Sequence, residues 1–366
     1  MFIDSDDIKK VIPEVVKIRR HIHMYPEISE QEYETSKYIK KCLDSFLNSK
    51  VLEYLEVIVV NDGSEDKTLE IVKEYQKRYP NTIYLVDKKN EGHGSTINKS
   101  IQTATGKYFK VVDADDWVSK KGIEKLVEFL KTTDCDLIIN PYIETYITEL
   151  SEKVIIPYKN VENNKIYMFD KIAQNLDIPM HSMTLKTSII KSVGPVIDEN
   201  CFYVDMEYDL YPIKYVQTIC CLDYPVYYYL LGNQEQSVSK KNMVKRRAQR
   251  EKVIKSLIKD YNSSYNILGK SRSDYVATKI KYLIYTHYKM YMYLDLKTSY
   301  NEITEFDKWL YDNANEDIYF GLSRGLVMKF IRGQRKISFK LYKVTLKFAQ
   351  LFGFLKIYKI DDGMYK

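Results

Sequence analysis

Long apolar runs, strong net charge and paired cysteines are all lacking in this 366-residue chain. No apolar run reaches the roughly 18 residues that a membrane-spanning helix needs, and the N-terminus lacks the basic and apolar regions of a signal peptide. The net charge of +6 is too small to argue for a nucleic-acid partner. These absences predict a globular protein that is made and kept inside the cell.

The cysteines support the same location. The chain has five, namely Cys42, Cys135, Cys201, Cys220 and Cys221. They form no CxxC pair and no zinc-site spacing, and an odd, scattered set of this kind is typical of reduced thiols in a cytosolic protein. Disulfide frameworks and structural zinc sites are therefore not expected.

Short apolar runs and amphipathic segments alternate through the first half of the chain. The predicted strands are 56–60, 82–86, 108–112 and 136–140, and the predicted helices are 34–48, 67–78, 94–104 and 122–131. Strands that alternate with helices across short loops predict an α/β fold with a doubly wound, mostly parallel sheet. We predict an atypical helical segment at 1–37, this α/β domain at 38–240, and a helical region at 241–366.

Two of these strands end in carboxylates. The first runs into Asp62 and Gly63, and the second runs into Asp113-Ala114-Asp115-Asp116. Open α/β sheets bind ligands at the carboxyl ends of their strands, and clustered carboxylates suit a hard cation such as Mg²⁺ or Mn²⁺. The alternatives are an ordinary turn at Asp62 and a capping role for Asp115 or Asp116. We predict a divalent metal beside a crevice for a phosphate-bearing substrate.

Three segments together resemble one enzyme family. They are the run Val57–Thr68, the pattern Asn90…Gly92…Asn98, and the run Gly106–Phe109 followed by Asp113–Asp116. In order, spacing and strand context they resemble the family 2 glycosyltransferases, which are inverting enzymes of the GT-A fold. The resemblance is dense from about residue 38 to residue 140 and looser to about residue 241.

The resemblance implies roles for individual residues on the donor side. Asp62 would bind the nucleotide base, Asp113 would lie near the ribose, and Asp115 would bind the Mn²⁺ or Mg²⁺ that bridges the diphosphate. The implied nucleotide-binding set is Asp62, Gly63, Ser64, Asn90, Gly92, Asn98, Asp113 and Ser237. The metal would neutralise charge on the departing nucleoside diphosphate.

On the acceptor side, inversion requires a general base. By resemblance, Asp205 occupies the position of the acidic residue that serves the family as general base, and Glu207 is the alternative. His181 falls where the family contacts its acceptor. The alternatives are two exposed carboxylates at a helix start and a structural histidine.

The N-terminal segment departs from the family pattern. The family's opening strand, which ends in Pro-x-Tyr-Asn and helps to bind the base, has no counterpart before Tyr38. The run Ile18–Ser29 instead resembles the opening helix of amidohydrolases related to aminoacylases, but no further metal-binding motif of that group follows. The alternative function is therefore a catalytically impaired scaffold that binds nucleotide or membrane.

A predicted helix at 336–355 has an apolar face and a lysine face. Such a helix suits an anionic membrane surface, and the alternative is that it packs on its own domain. The resemblance as a whole implies sugar transfer from a nucleotide-diphosphate sugar, in particular a UDP-sugar, to a carbohydrate or lipid-linked acceptor in surface polysaccharide synthesis. It implies a cytoplasmic enzyme that can be peripheral on the inner face of the plasma membrane.

Overall fold

The computed structural model describes residues 33–47, 49–194, 196–232, 240–265, 267–291 and 293–324, together with residues 332 and 339. The predictions for residues 1–32, for Ser237 and for the helix at 336–355 fall outside these residues, apart from residue 339. The chain divides into two compact units, which meet between residues 236 and 237. The finer three-part division remains a prediction.

Helices and strands alternate in the first unit. Its described helices are α1 (Tyr33–Leu47), α2 (Thr68–Arg78), α3 (His93–Thr103), α4 (Lys120–Thr132), α5 (Phe169–Ile172), α6 (Thr187–Val193) and α7 (Asp205–Leu210). Its described strands are β1 (Val57–Asp62), β2 (Ile83–Lys88), β3 (Tyr108–Phe109), β4 (Trp117–Val118), β5 (Leu137–Ile139), β6 (Tyr142–Tyr146), β7 (Ser151–Ile155), β8 (Ile166–Met168), β9 (Met183–Lys186), β10 (Thr218–Cys221) and β11 (Tyr227–Leu231). The predicted α/β class is confirmed.

The strands that the structure describes form three sheets. Their orders are β1-β2, β3-β9-β5-β10-β8 and β4-β11-β6-β7. The pairs β1–β2, β5–β10 and β6–β11 are parallel, and the other pairs are antiparallel. The sheets are therefore mixed, and less parallel than predicted, because β4, β7, β8 and β9 run against their neighbours.

Strand β3 is shorter than predicted. The apolar run predicts a strand over 108–112, but only Tyr108 and Phe109 pair with a neighbour, which is β9. A strand needs a hydrogen-bonding partner along its edge, and within the described chain no strand lies beside Lys110–Val112. An apolar run alone does not reveal whether that partner exists.

Helices and strands together form the core of the first unit. One apolar cluster joins α1, α2 and β2 through Ile39, Leu43, Ile71, Val72, Tyr75 and Ile83. A second cluster centres on the inward face of α4, where Ile123, Leu126 and Val127 pack against Ile138 and Val226. Ser119 caps α4 by accepting a hydrogen bond from the backbone N–H of Gly122.

The second unit is helical, as predicted. Its described helices are α8 (Lys240–Lys245), α9 (Arg247–Ser264), α10 (Lys270–Tyr291), α11 (Leu296–Asn313) and α12 (Glu316–Tyr319). Buried Ile254, Ile284 and Phe306 represent the apolar faces of the three long helices. No described helix combines the length and the hydropathy that crossing a membrane requires.

Candidate active site

Asp116 lies at the centre of the acidic cluster and is almost fully buried. Its carboxylate accepts hydrogen bonds from the Tyr227 hydroxyl at 2.5 Å and from the backbone N–H of Leu230 at 2.7 Å. Burial, followed by the charges of Asp115 and Asp113, raises the pKa of Asp116 to about 9. Asp116 is therefore neutral near pH 7 in the chain alone, and it fixes β11 beside the acidic loop.

Asp113, Asp116 and His181 each present a metal-ligand atom, and these atoms lie within 4.8 Å of one another. Burial is the main reason that the pKa of His181 is lowered to about 4, so its ring is neutral near pH 7. Its Nδ1 is buried and has no hydrogen-bond partner among the described residues. Carboxylate oxygens with a neutral imidazole nitrogen form a donor set that suits Mn²⁺. The residues present therefore fit a divalent metal.

Asp115, the predicted metal ligand, is not one of these three residues, although it is close enough to raise the pKa of Asp116. Its role remains a prediction. His181 lies beside the acidic cluster, and its predicted contact with the acceptor remains a prediction. Its ring stacks on Tyr229 at 4.0 Å between centroids and meets the edge of Tyr227 at 5.0 Å.

Tyr229 connects the acidic cluster to the predicted base. Burial is the largest cause of its raised pKa, and Asp116, Asp113, Asp205 and Asp115 each raise it further. Asp205 begins α7 and is half-buried. Asp205 is therefore near enough to raise the pKa of Tyr229, although more than 80 residues separate it from Asp116 in sequence. Its role as the base remains a prediction.

Asp62 lies at the end of β1, as predicted, and its carboxylate has partners within the chain. It accepts hydrogen bonds from the backbone N–H groups of Glu91 at 3.0 Å and Gly92 at 2.8 Å, and from Lys88 Nζ at 2.6 Å. Gly92 has a φ of +83°, which favours glycine. Asp62 therefore holds the loop that begins α3, and base binding remains a prediction.

Asn98 has a similar internal role. Its Nδ2 donates to the carbonyl oxygen of Ile197 at 2.9 Å and to Glu199 Oε1 at 3.1 Å, and its Oδ1 accepts from the N–H of Ile197 at 3.3 Å. The side chain is buried. This placement favours fixing α3 to the segment before α7 over the implied nucleotide contact. Gly63, Ser64 and Asn90 lie at the exposed turns beside Asp62, and their contacts with nucleotide remain predictions.

Glu207 is completely buried. Its Oε2 accepts a hydrogen bond from the N–H of Asp198 at 2.7 Å, and its Oε1 accepts one from the Tyr211 hydroxyl at 3.0 Å. Burial, more than any neighbouring charge, raises its pKa to about 8. This environment favours a structural role over the predicted role as an alternative base.

The Glu207→Gln variant tests that structural role. Between pH 4.5 and 8, folded Glu207 keeps a proton that the unfolded chain loses, so this group lowers the free energy of unfolding as the pH rises. Glutamine is neutral at every pH in this interval and keeps a carbonyl oxygen that can accept the hydrogen bond from the N–H of Asp198. We expect denaturant unfolding to show that, as the pH rises from 4.5 to 8, the free energy of unfolding of the variant increases relative to that of the parent by on the order of a few kcal/mol. If the free energies of unfolding of the two proteins changed equally with pH, Glu207 would not keep a proton in the folded state and the structural assignment would be wrong.

Three further side chains at the site were not predicted. His93, at the start of α3, has its Nε2 3.8 Å from Asp113 Oδ1, and Tyr227 and Tyr229 lie on one face of β11. The signal for the tyrosines is present in the sequence, because residues i and i+2 of a strand share a face. His93 has no such local signal, since α3 and the acidic loop meet only in the fold.

Known proteins match this chain in sequence and in structure. Residues 32–192 match the family model described as Glycosyl transferase family 2. Over these residues the chain is similar to the family 2 glycosyltransferases. The matches cover between 31% and 54% of the length of the first three curated relatives, so the chain spans a third to about half of each.

The relatives differ in how much of their sequence aligns with this chain. An uncharacterized glycosyltransferase of Haemophilus influenzae is 28% identical over 319 residues, which are 82% of this chain and 94% of the relative. The chondroitin synthase of Pasteurella multocida is 38% identical over 114 residues, which are 30% of this chain and 12% of the relative.

The crystal structure of Staphylococcus aureus TarS, residues 1–349, aligns with a TM-score of 0.60 at 16% identity. The alignment covers 88% of this chain and 89% of that one. TarS has also been solved in complex with UDP-GlcNAc, with a TM-score of 0.58. This likeness confirms the GT-A fold that the sequence resemblance implied.

Proposed function

We propose that this chain transfers a sugar, with inversion, from a nucleotide-diphosphate sugar to a carbohydrate or lipid-linked acceptor in surface polysaccharide synthesis. The observation that carries the proposal is the grouping of Asp113, Asp116 and His181, whose ligand atoms lie within 4.8 Å of one another, in a segment that matches the family 2 glycosyltransferases. The TarS complex with UDP-GlcNAc supports a UDP-sugar donor, and the match to chondroitin synthase supports a polysaccharide product.

In this proposal the two sides of the site act on different groups. Asp205 accepts the proton of the acceptor hydroxyl as that oxygen attacks the sugar carbon. Asp113 and His181, with Asp115 as the predicted further ligand, would hold Mn²⁺ or Mg²⁺, which when bound stabilises the negative charge of the leaving diphosphate. Tyr227 and Asp116 hold the loop that carries Asp113 and Asp115 in place.

A donor-hydrolysis assay tests the proposal. Nucleotide sugars, beginning with UDP-GlcNAc, are incubated with and without Mn²⁺, and release of the nucleoside diphosphate is measured. We expect Mn²⁺-dependent turnover that falls tenfold or more in Asp115→Asn, because a carboxylate near the leaving diphosphate is lost. Glu70→Gln, which changes an exposed carboxylate on α2, is the matched control and should retain parental turnover.

Two results would oppose the proposal in different ways. Equal turnover in the parent and Asp115→Asn would remove Asp115 from the metal site. No Mn²⁺-dependent turnover with any donor, combined with a donor-induced rise in melting temperature, would indicate a nucleotide-binding scaffold instead, because a ligand that binds the folded state stabilises it.

A further inference from the structure

A cavity of about 600 Å³ separates β1 from the start of β3. We call this space the strand slot. Its two edges are Val57–Val60 of β1 and Tyr108–Val112, and its walls come from helices α1, α3 and α4. The wall side chains include Ile39, Leu43, Ile97, Ile123 and Leu126. The slot is therefore bounded by two extended backbone edges and by apolar side chains.

Both backbone edges of the slot lack a strand partner among the described residues. β1 pairs with β2 on its other edge, and β3 pairs with β9 on its other edge. The four consecutive apolar residues of β1 are only half-buried, as are Val111 and Val112. Four consecutive apolar residues are typical of a strand buried on both faces in the interior of a sheet. The edges are thus suited to an added strand.

One end of the slot is fixed by contacts between its two edges, and the other end by contacts from the wall helices α1 and α3. Glu56 accepts hydrogen bonds from the backbone N–H groups of Thr105 at 2.8 Å and Gly106 at 3.1 Å, just before β3. At the opposite end, His93 approaches Asp113, and Cys42 Sγ approaches the carbonyl oxygen of Asp113 at 3.7 Å. The slot is therefore formed in advance, and one of its ends lies beside the acidic cluster.

Residues 1–32 precede α1, whose side chains line the slot. In a right-handed βαβ unit, the helix before β1 begins at the carboxyl end of β1. A strand parallel to β1 would leave the slot at that same end. A link of 14 residues, from 19 to 32, could span up to about 46–50 Å when extended. A strand formed before residue 19 could therefore occupy the slot and still be connected to the start of α1.

We propose that Val15–Ile18 fills the strand slot as a strand parallel to β1 and β3. In such a strand Val16 and Ile18 share one face, Val15 and the aliphatic stem of Lys17 share the other, and Pro13 comes before the strand, where its missing N–H is not needed. Arg19 and Arg20 then emerge at the end where Asp113 and Asp115 lie, so their charges are complementary. A strand at Val15–Ile18 would take the place of four residues in the helical segment predicted for residues 1–37.

Hydrogen exchange of the full-length protein tests this occupant. We expect the amides of Val57–Val60 to exchange at least tenfold faster in Val16→Asp than in the parent, because a buried carboxylate expels the strand. Val11→Asp, on the other side of Pro13, is the matched control and should exchange as the parent does. Exchange in β5 and β10, which belong to the same unit as β1, shows whether the rest of that unit stays folded. If Val16→Asp unfolds throughout, Val16→Ala and Val11→Ala are compared in the same way.

Two outcomes would overturn the proposal. Equal exchange of Val57–Val60 in the parent and both variants would mean that Val15–Ile18 does not occupy the slot. Protection that increases with protein concentration would assign the strand to a second copy of the chain. Neither readout uses catalysis, so this inference and the proposed function can fail separately.

Discussion

Asp205→Asn is expected to lower kcat for sugar transfer by about 10²–10⁴-fold, the range in which a general base contributes. The amide cannot accept the proton of the acceptor hydroxyl, whereas it keeps the size of the carboxyl group. KM for the donor should stay close to the parental value, because the proposed role of Asp205 is on the acceptor side. Steady-state kinetics with donor and acceptor varied separately measure both effects.

Glu207→Gln is the comparison that identifies the base. Glu207 is buried and hydrogen-bonded to Asp198 and Tyr211, so its amide variant should retain kcat within a few-fold of the parent. The opposite ordering, with Glu207→Gln inactive and Asp205→Asn active, would transfer the base to Glu207. That result would also require the segment around α7 to move when the acceptor binds.

Gly94→Ala is expected to cost about 3 kcal/mol of folding free energy, the upper part of the usual range for overpacking. An alanine Cβ at this position would lie 2.1 Å from the carbonyl oxygen of Asp198, so the backbone itself is the obstacle. α3 must then move away from the segment that leads into α7 and Asp205. Denaturant unfolding should therefore show lower stability, and turnover should fall with it.

Gly106→Ala is the matched control for this steric effect. The nearest atom to its Cβ would be the carbonyl oxygen of Tyr108 at 3.6 Å, an ordinary van der Waals contact. We expect a change in unfolding free energy below about 0.5 kcal/mol, as for most surface substitutions. Equal losses in the two variants would show that close packing against Asp198 does not explain the need for glycine at residue 94.

Local sequence patterns were sufficient for most elements of the α/β domain. The predicted strand 56–60 is β1 at Val57–Asp62, and the predicted helix 122–131 is α4 at Lys120–Thr132. Their apolar periodicity is a property of neighbouring residues in the chain. β3 ends early for the opposite reason, because Lys110–Val112 can be a strand only if a distant segment lies beside them.

The same distinction applies to the site. The position of Asp62 after a strand could be predicted, but its bonds to Glu91, Gly92 and Lys88 depend on how the next loop folds back. The grouping of Asp113 with His181 likewise joins residues 68 positions apart. Residue types and spacing indicate the chemistry that a site can perform, whereas the partners of each side chain depend on contacts made only in the fold.

The strand slot also determines the order of events during synthesis. Both edges of the slot exist only after residue 112 has left the ribosome, roughly 50 residues after Val60, or about 3–10 s at ordinary elongation rates. During that delay the apolar edge of β1 can pair with a strand of another nascent chain, which is how exposed strand edges start aggregation. The yield of folded protein should therefore depend on the elongation rate between β1 and Val112 and on chaperones that bind extended apolar peptide.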